Sequence, residues 1–410
     1  MFEVTLEQNI FAKALKLLAY TVGDNSKGFN DDCISMELSA DLSKLIMYTT
    51  NTNSFTKCDI PVSLCKSTTP DKAPYVPFKR LKKIVESVPE SEPITLKENN
   101  NGDLQVKYQL KNGTTIISTK GSYLQLPNIN EKEICVKADF LKYSAQSACK
   151  IIDSSDAGNA PIYQCMRIAT SNLLDVEVTA LDHKLSRAYY NKDKTTISNP
   201  SQEIIIQANV LHNAMSMFDG YDDILLSTDG NIIKVVPDIS SKQQVPDTHI
   251  ANNIFNVELY TRVINGNFMN NISSYFGAGP AQYAEIDYQE FKTAFERAKA
   301  IQDDFVGNRS VNINITDNKA KMSYNSLYGE LNEEINLSYS ISNSINNYFL
   351  YDSFLDILSG FGKDTKNIYI GKINNAPNNI ILKGVHMPNE MFMISSTQAN
   401  ANNNATQNTP

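Results

Sequence analysis

The stretch LEQNIFAKALKLLAYTV, which begins at Leu6, decides the fold because it returns twice along the chain. Its apolar residues recur at helical spacing. Similar stretches are VKADFLKYSAQSACKII from Val136 and DYQEFKTAFERAKAIQ from Asp287. A second helical marker also occurs three times, as VPFKRLKKIVESV from Val76, IQANVLHNAMSMF from Ile206 and NYFLYDSFLDILSGF from Asn347. Both markers advance by 130 residues from the first copy to the second. Repeats of this length can each bury a core, so the sequence predicts one domain repeated three times.

Between and after these helical stretches the apolar period changes to two, which is typical of strands with one buried face. Most of these segments hold a turn such as Asp-Gly or Asn-Gly between two alternations, which is a hairpin signal. They are CISMELSADLSKLIMYTT from Cys33, PITLKENNNGDLQVKY from Pro93, DVEVTALDHKLSRAYY from Asp175, DILLSTDGNIIKVV from Asp223, SVNINITDNKAKMSYN from Ser310 and NIYIGKINNAPNNIILKG from Asn367. The predicted fold class is therefore α+β, with two helices packed on antiparallel sheet in each repeat.

Turn-rich joints separate the repeats. SYLQLPNIN closes the first repeat and FGAGPAQ closes the second, so we predict domains at residues 1–129, 130–278 and 279–396. The last residues, 397–410, are rich in asparagine and have little apolar surface to bury. We expect them to form a disordered tail.

Charge is distributed unevenly along the chain. The 410 residues carry a formal charge of −8, yet the six helical stretches together carry +4 and the rest carries −12. The plain alternative is that these lysines only solvate exposed helix faces. The acidic total excludes a protein coated with basic surface. No apolar run is long enough to cross a bilayer, and the amino terminus lacks an export signal. A cytoplasmic protein without a membrane partner is expected.

Motifs for catalysis or cofactor binding are missing from the sequence. It contains no phosphate-binding GxxxxGK[ST] loop, no GxGxxG fingerprint and no HExxH zinc motif. Asp182 and His183, close to Ser186, are the one pair that suggests a hydrolase. Neighbouring residues on a strand point to opposite faces, so Asp182 is badly placed to orient His183. We therefore expect a non-catalytic protein with no catalytic residues, no metal and no cofactor, and keep the hydrolase as a weak alternative.

Several segments, in order, resemble the β sliding clamp of bacterial DNA polymerase III. They are KGSYLQLPNI at the first joint, ALDHKLSRA in the second repeat, TRVINGNFMNN from Thr261 and EFKTAFERAKAIQDDFVGNRSVNINITDNKAKMSYN from Glu290. The last of these is the closest match. The resemblance runs from Met1 to about Ser396. It implies three clamp domains and a ring in which two chains close head to tail as a homodimer.

The resemblance also implies a function. A clamp ring encircles duplex DNA independently of sequence and tethers the replicative DNA polymerase as a processivity factor, with helices lining the hole. The channel-facing cations would then be Lys13, Lys16, Lys79, Arg80, Lys82, Lys83, Lys142 and Lys150. A catalytically inert scaffold that keeps the clamp fold and binds only protein remains an alternative.

The family further binds short linear peptides of its polymerase and clamp loader in an apolar pocket between the second and third domains. By position, the resemblance assigns that pocket to Tyr163, His183, Lys184, Leu185, Phe305, Met393, Ile394 and Ser395. It assigns the apolar contact between the two chains of the ring to Ile117 and Ile301.

Overall fold

The structure is a computed structural model. It describes residues 2–23, 31–51, 53–108, 113–118, 129, 133–152, 161–171, 175–182, 187–194, 202–238, 256–264, 266, 268–269, 276, 280, 282–302, 309–316, 318–339, 344–362, 364–373, 376–385 and 389–397. The chain divides into two compact units. Unit 1 comprises Met1–Leu141, Thr196–Asn199 and Asn213–Val263, and unit 2 comprises Lys142–Thr195, Pro200–His212 and Ile264–Pro410. The division passes through the second repeat, and the domain bounds predicted from the sequence remain a prediction. The predicted disordered tail, apart from Thr397, lies outside the described residues.

Each repeat runs in the same order, from one strand through a helix and further strands to a second helix and three closing strands. The first repeat contains β1 (Glu3–Glu7), α1 (Gln8–Leu18), β2 (Cys33–Leu38), β3 (Lys44–Thr50), β4 (Ser54–Pro61), β5 (Leu64–Cys65), β6 (Val76–Pro77), α2 (Phe78–Glu86), β7 (Pro93–Glu98), β8 (Leu104–Tyr108) and β9 (Gly113–Ile117). The second contains β10 (Glu133–Lys137), α3 (Ala138–Ala148), β11 (Cys165–Thr170), β12 (Asp175–Leu181), β13 (Arg187–Lys194), β14 (Glu203–Gln207), α4 (Ala208–Ala214), β15 (Asp223–Thr228), β16 (Ile232–Pro237) and β17 (Asn256–Arg262).

The third repeat follows the same plan. It contains β18 (Ala284–Asp287), α5 (Tyr288–Ala300), β19 (Ser310–Thr316), β20 (Lys319–Ser326), β21 (Gly329–Tyr339), β22 (Ile345–Leu350), α6 (Tyr351–Gly360), β23 (Asn367–Ile373), β24 (Ala376–Gly384) and β25 (Met391–Ser395). All six helical stretches and all six hairpins predicted from periodicity are present, and the α+β class is confirmed.

The helices form where apolar residues repeat on one face. On α1, Phe11, Ala14, Leu15 and Leu18 are buried at helical spacing. Helix α5 also has a capped start, because the Asp287 carboxylate accepts a hydrogen bond from the backbone N–H three residues later, at 2.8 Å. Burial therefore sets which face of α1 points inwards, and the cap sets where α5 begins.

The strands form three antiparallel sheets, two in unit 1 and one in unit 2. Their orders are β5-β1-β7-β8-β9, β10-β15-β16-β17-β4-β3-β2-β6, and β14-β11-β12-β13-β25-β24-β23-β18-β21-β20-β19-β22. Two sheets are therefore continuous across repeats. We call the pairing of β17 with β4 the first seam, and the pairing of β25 with β13 the second seam.

The described helices are all too short or too polar to span a membrane. All six cysteines are free thiols, three buried and three half-buried.

Candidate nucleic-acid and peptide interfaces

The first repeat presents cations on two helices that pack together within unit 1. The Gln8 amide of α1 donates to the Val85 carbonyl oxygen of α2 at 2.8 Å. Five predicted DNA-contact residues on these helices are exposed, and in the described part of the chain they make no ion pair: Lys13, Lys16, Lys79, Arg80 and Lys83. Lys82 differs, since it is half-buried and its ammonium lies 3.7 Å from the Glu86 carboxylate. The first repeat therefore displays a group of available positive charges.

Two of the three cations on α5, in the third repeat, are instead paired with carboxylates. The Arg297 guanidinium binds the Glu333 carboxylate through two hydrogen bonds, and the Lys299 ammonium lies 2.9 Å from the Asp352 carboxylate. An ion-paired cation has less to gain from a phosphate, because its own carboxylate must first be displaced. The sequence shows which residues are charged. The structure shows which of those charges have no ion-pair partner among the described residues and can therefore bind a phosphate.

The predicted cations of the second repeat lie at α3. Lys142 is exposed on the helix, and Lys150 is half-buried just beyond its end. The carbonyl oxygen of Lys150 accepts a hydrogen bond from the Arg187 guanidinium at 3.4 Å. Both residues belong to unit 2.

The described residues of the predicted peptide pocket lie at the second seam. One face of this seam is an apolar cluster of Ile162, Leu181, Ala188, Tyr190, Phe268, Phe276, Ile373, Ile381 and Met393. The rings of Tyr190 and Phe276 stack with centroids 5.3 Å apart. Tyr163 is half-buried against this cluster, Ile394 is buried, and Ser395 is half-buried. His183, Lys184, Leu185 and Phe305 lie outside the described residues.

The other face of the second seam holds a buried acid that the sequence reasoning missed. Glu390, immediately before β25, is 1% exposed. The Tyr143 hydroxyl donates to one of its carboxyl oxygens at 2.9 Å, and the Ser147 hydroxyl donates to the other at 3.2 Å. Burial raises the pKa of this carboxyl to about 7. The one local sequence signal for this buried acid is its position immediately before the apolar run MFMI.

The carboxylate of Asp182, which the hydrolase alternative would use, is held by contacts with Arg187. This carboxylate is 5% exposed and accepts a hydrogen bond from the backbone N–H of Arg187 at 3.1 Å. The Arg187 side chain approaches the other carboxyl oxygen at 3.6 Å and also lies 3.0 Å from the Asp356 carboxylate. These contacts join the residue after β12 to the first residue of β13, and His183 lies outside the described residues. In the described ranges no cluster of histidine, cysteine, aspartate and glutamate is arranged to hold a metal.

The residues predicted to join two chains occupy different environments. Ile117, on the edge strand β9, is buried within unit 1, whereas its neighbour Ile116 is 56% exposed. Ile301 is half-buried at the end of α5, and its carbonyl oxygen accepts a hydrogen bond from the Ser326 hydroxyl.

The threefold order of strands and helices, with the closing strand of one repeat paired to the preceding repeat, is the fold of the bacterial DNA sliding clamps. The chain is similar to the β subunit of the Streptococcus pyogenes DNA polymerase, with 17% identity and a TM-score of 0.81 over 97% of this chain and 100% of that one. It is also similar to the DNA polymerase sliding clamp of Bacillus subtilis, with 15% identity and a TM-score of 0.79 over 97% and 99% of the two chains.

The DNA polymerase III β subunit of Pseudomonas aeruginosa shows the same similarity, with 14% identity and a TM-score of 0.80 over 97% of this chain and all of that one. No protein-family model and no curated protein sequence matches the chain. The resemblance and the fold class inferred from the sequence are therefore confirmed at the level of structure, in a chain whose sequence has diverged strongly.

Proposed function

We propose that this protein is a DNA sliding clamp, a non-catalytic processivity factor of the cytoplasm that encircles duplex DNA and tethers a replicative DNA polymerase. The observation that supports this most strongly is the group of exposed cations on α1 and α2 without ion-pair partners among the described residues. Such charges bind phosphates without reading bases. Retention by encirclement needs only these weak contacts, because the closed ring cannot dissociate sideways.

Encirclement needs a further seam between two copies, and the internal seams indicate its form. In each internal seam the closing strand of one repeat pairs antiparallel with the fourth strand of the preceding repeat, β17 with β4 and β25 with β13. By the same rule β9 of one copy pairs with β21 of the other. The edge position of β9 supports this. In the described residues, β21 pairs with β20 over Gly329–Asn336 and with β18 only at Leu337 and Tyr339, which leaves one side of Gly329–Asn336 available.

Exposed apolar side chains at both proposed partners support the same seam. Ile116 projects from β9, while Leu327 and Tyr328, at the β20–β21 turn, are 87% and 66% exposed. Large exposed apolar residues that cluster at one place mark an interaction surface. Ile117 and Ile301 are proposed to lie at the margin of this contact. Transferring the register of the first seam places Thr114 opposite the partner's Asn332.

The proposed peptide-binding surface is the apolar face of the second seam. Tyr163, Met393, Ile394 and Ser395, with His183, Lys184, Leu185 and Phe305, would receive short linear peptides of the polymerase and the clamp loader. The aromatic stack of Tyr190 on Phe276 supports an apolar surface here.

Chemical closure of the ring around DNA tests this function without a loading enzyme. The double variant Thr114→Cys with Asn332→Cys is mixed with circular plasmid, treated with a bifunctional thiol cross-linker and washed in high salt. We expect protein to remain on the circle and to be released when the plasmid is linearised. The single variant Thr114→Cys, which keeps the six native cysteines, is the control and should wash off. Equal loss of both variants from circular DNA would favour the inert scaffold.

A further inference from the structure

The Glu390 carboxyl, just beyond the paired residues of the second seam, lies among hydroxyl groups and one backbone carbonyl oxygen. The Tyr143 and Ser147 hydroxyls are each within reach of a Glu390 oxygen and of the Gly360 carbonyl oxygen, at 3.2 and 3.3 Å for the latter. Each hydroxyl has one hydrogen. The Tyr189 hydroxyl is a third hydrogen-bond partner of the carboxyl. These hydrogen bonds favour the ionised form, but they offset only part of the cost of burying its charge at a residue that is 1% exposed, so burial favours the neutral acid.

The charges around Glu390 favour the neutral acid as well. In the described part of the chain no lysine, arginine or histidine forms an ion pair with it, and Arg187, a cation on β13 of the seam, is engaged by Asp182 and Asp356. Gly360 ends α6, so its carbonyl oxygen contributes the negative end of the helix dipole. A buried carboxylate without a cation is costly, and the group takes up a proton instead.

The titratable groups that face Glu390 do not compete for this proton. Tyr143 comes from α3 and Tyr189 from β13, and burial raises the pKa of both phenols above the ordinary value. Ser147 and Gly360 supply the remaining polar atoms. His386, four residues before Glu390, lies outside the described residues and is the natural confounding group in any titration.

Glu390 joins the elements that hold the second seam. It lies next to Met391, the first residue of β25, and accepts hydrogen bonds from Tyr143 and Ser147 of α3. The same two hydroxyls lie within reach of the Gly360 carbonyl oxygen at the end of α6. The following residue of β25, Phe392, packs its ring 5.1 Å from Tyr189 and 4.9 Å from Phe361. A change at Glu390 therefore acts directly on the strand that closes the seam.

We propose that Glu390 is a proton-linked clasp, which holds β25 against β13 while it is neutral and loosens the second seam when it ionises. The ordinary carboxyl pKa of 4.5 rises to about 7 in the folded chain. The stabilisation of the closed seam by neutral Glu390 is complete at pH values below the pKa that this carboxyl has in the opened state. It is lost as the pH rises through the pKa of Glu390 in the folded chain. Between about pH 6 and about pH 8.5, linkage predicts a roughly tenfold rise in the opening equilibrium of the seam.

Hydrogen exchange on the full chain tests the clasp. After correction for intrinsic exchange, the amides of β25 and β13 should open about tenfold more often at the higher pH, and Glu390→Gln should abolish this rise. His386→Asn should leave it intact. Ser147→Ala removes a hydroxyl that stabilises the carboxylate, so it should move the midpoint to higher pH, which a purely structural role would not do.

A second measurement keeps the test decisive if Glu390→Gln folds poorly. In protein labelled with carbon-13 at the glutamate carboxyls, one resonance should titrate near neutral pH, and in Ser147→Ala its midpoint should move upwards. The proposal is overturned if every glutamate titrates near its ordinary pKa. It is equally overturned if the wild type and Glu390→Gln open with the same pH dependence.

Discussion

Removing the available cations of α2 should change how DNA binding responds to salt. In the triple variant Lys79→Gln, Arg80→Gln and Lys83→Gln, three exposed charges without ion-pair partners in the described chain are lost. Each phosphate contact contributes about 0.9 to the slope of log K against log salt, so the slope should flatten by about 2.7 per chain. A fourfold rise in salt should then cost the wild type roughly 40-fold more affinity per chain than the variant. Fluorescence anisotropy with a short labelled duplex, in a salt series, measures both slopes.

A matched control separates local contact from total charge. Lys319 and Lys321 of the third repeat are exposed, and both bind the Glu334 carboxylate, so their double change to Gln removes cations that already share an ion-pair partner. The slope should change little in this control. Lys82→Gln should also have a small effect, because its ammonium is paired with Glu86. Equal slopes for the wild type and the triple variant, or equal flattening in the Lys319/Lys321 control, would refute the assignment of α2 as a DNA-contacting helix.

Four further substitutions test packing, ion pairing and assembly. Phe354→Ala should lower the free energy of unfolding by about 3–5 kcal/mol in urea titration, since Phe354 is fully buried and stacks 4.3 Å from Phe295, and a loss below about 1 kcal/mol would contradict this packing. Arg187→Gln should cost about 1–3 kcal/mol, because a buried carboxylate loses its partner, whereas Asp356→Asn, at a 54% exposed side chain, should cost less than about 1 kcal/mol. Ile116→Lys should shift sedimentation from dimer to monomer while the melting temperature of the monomer stays unchanged, and a dimer that persists would exclude β9 from the seam between copies.

Local structure could be predicted from the sequence because its causes are local. The burial of Phe11, Leu15 and Leu18 on α1 follows from helical spacing alone. The Asp-Gly turn at Asp229 and Gly230 likewise predicts the β15–β16 hairpin, and Gly230 has the positive φ of 88° that such a turn requires. Threefold repetition of these signals predicted three α+β domains, and the clamp fold itself was inferred from the segments that resemble the sliding-clamp family.

Partner strands that are distant in sequence could not be predicted, because alternation gives the buried face of a strand but not its neighbour across a seam. In the first seam the Lys57 ammonium lies 3.0 Å from the Glu258 carboxylate across 201 positions of sequence. At the second seam Tyr143 bonds to Glu390 across 247 positions. Neither residue of these pairs has a local pattern that points to the other. The same limit applies to Arg297, which is a cation in the sequence and half of an ion pair in the structure.

The β9–β21 seam proposed between two copies should be weaker than the first and second seams within each chain. The internal seams join parts of one chain, whereas joining two copies costs translational and rotational freedom. The first seam also has six paired residues and the Lys57–Glu258 ion pair. The second has only four paired residues but adds the packing of Phe392 on Tyr189 and the hydrogen bonds of Glu390. By contrast β9, GTTII, is five residues long and carries no charge. DNA should therefore enter through the β9–β21 seam, and the fraction of closed rings should rise with protein concentration. A covalent link across that seam should prolong residence on circular DNA and leave the salt slope unchanged, because it alters closure and not the contacts of α2 with phosphate.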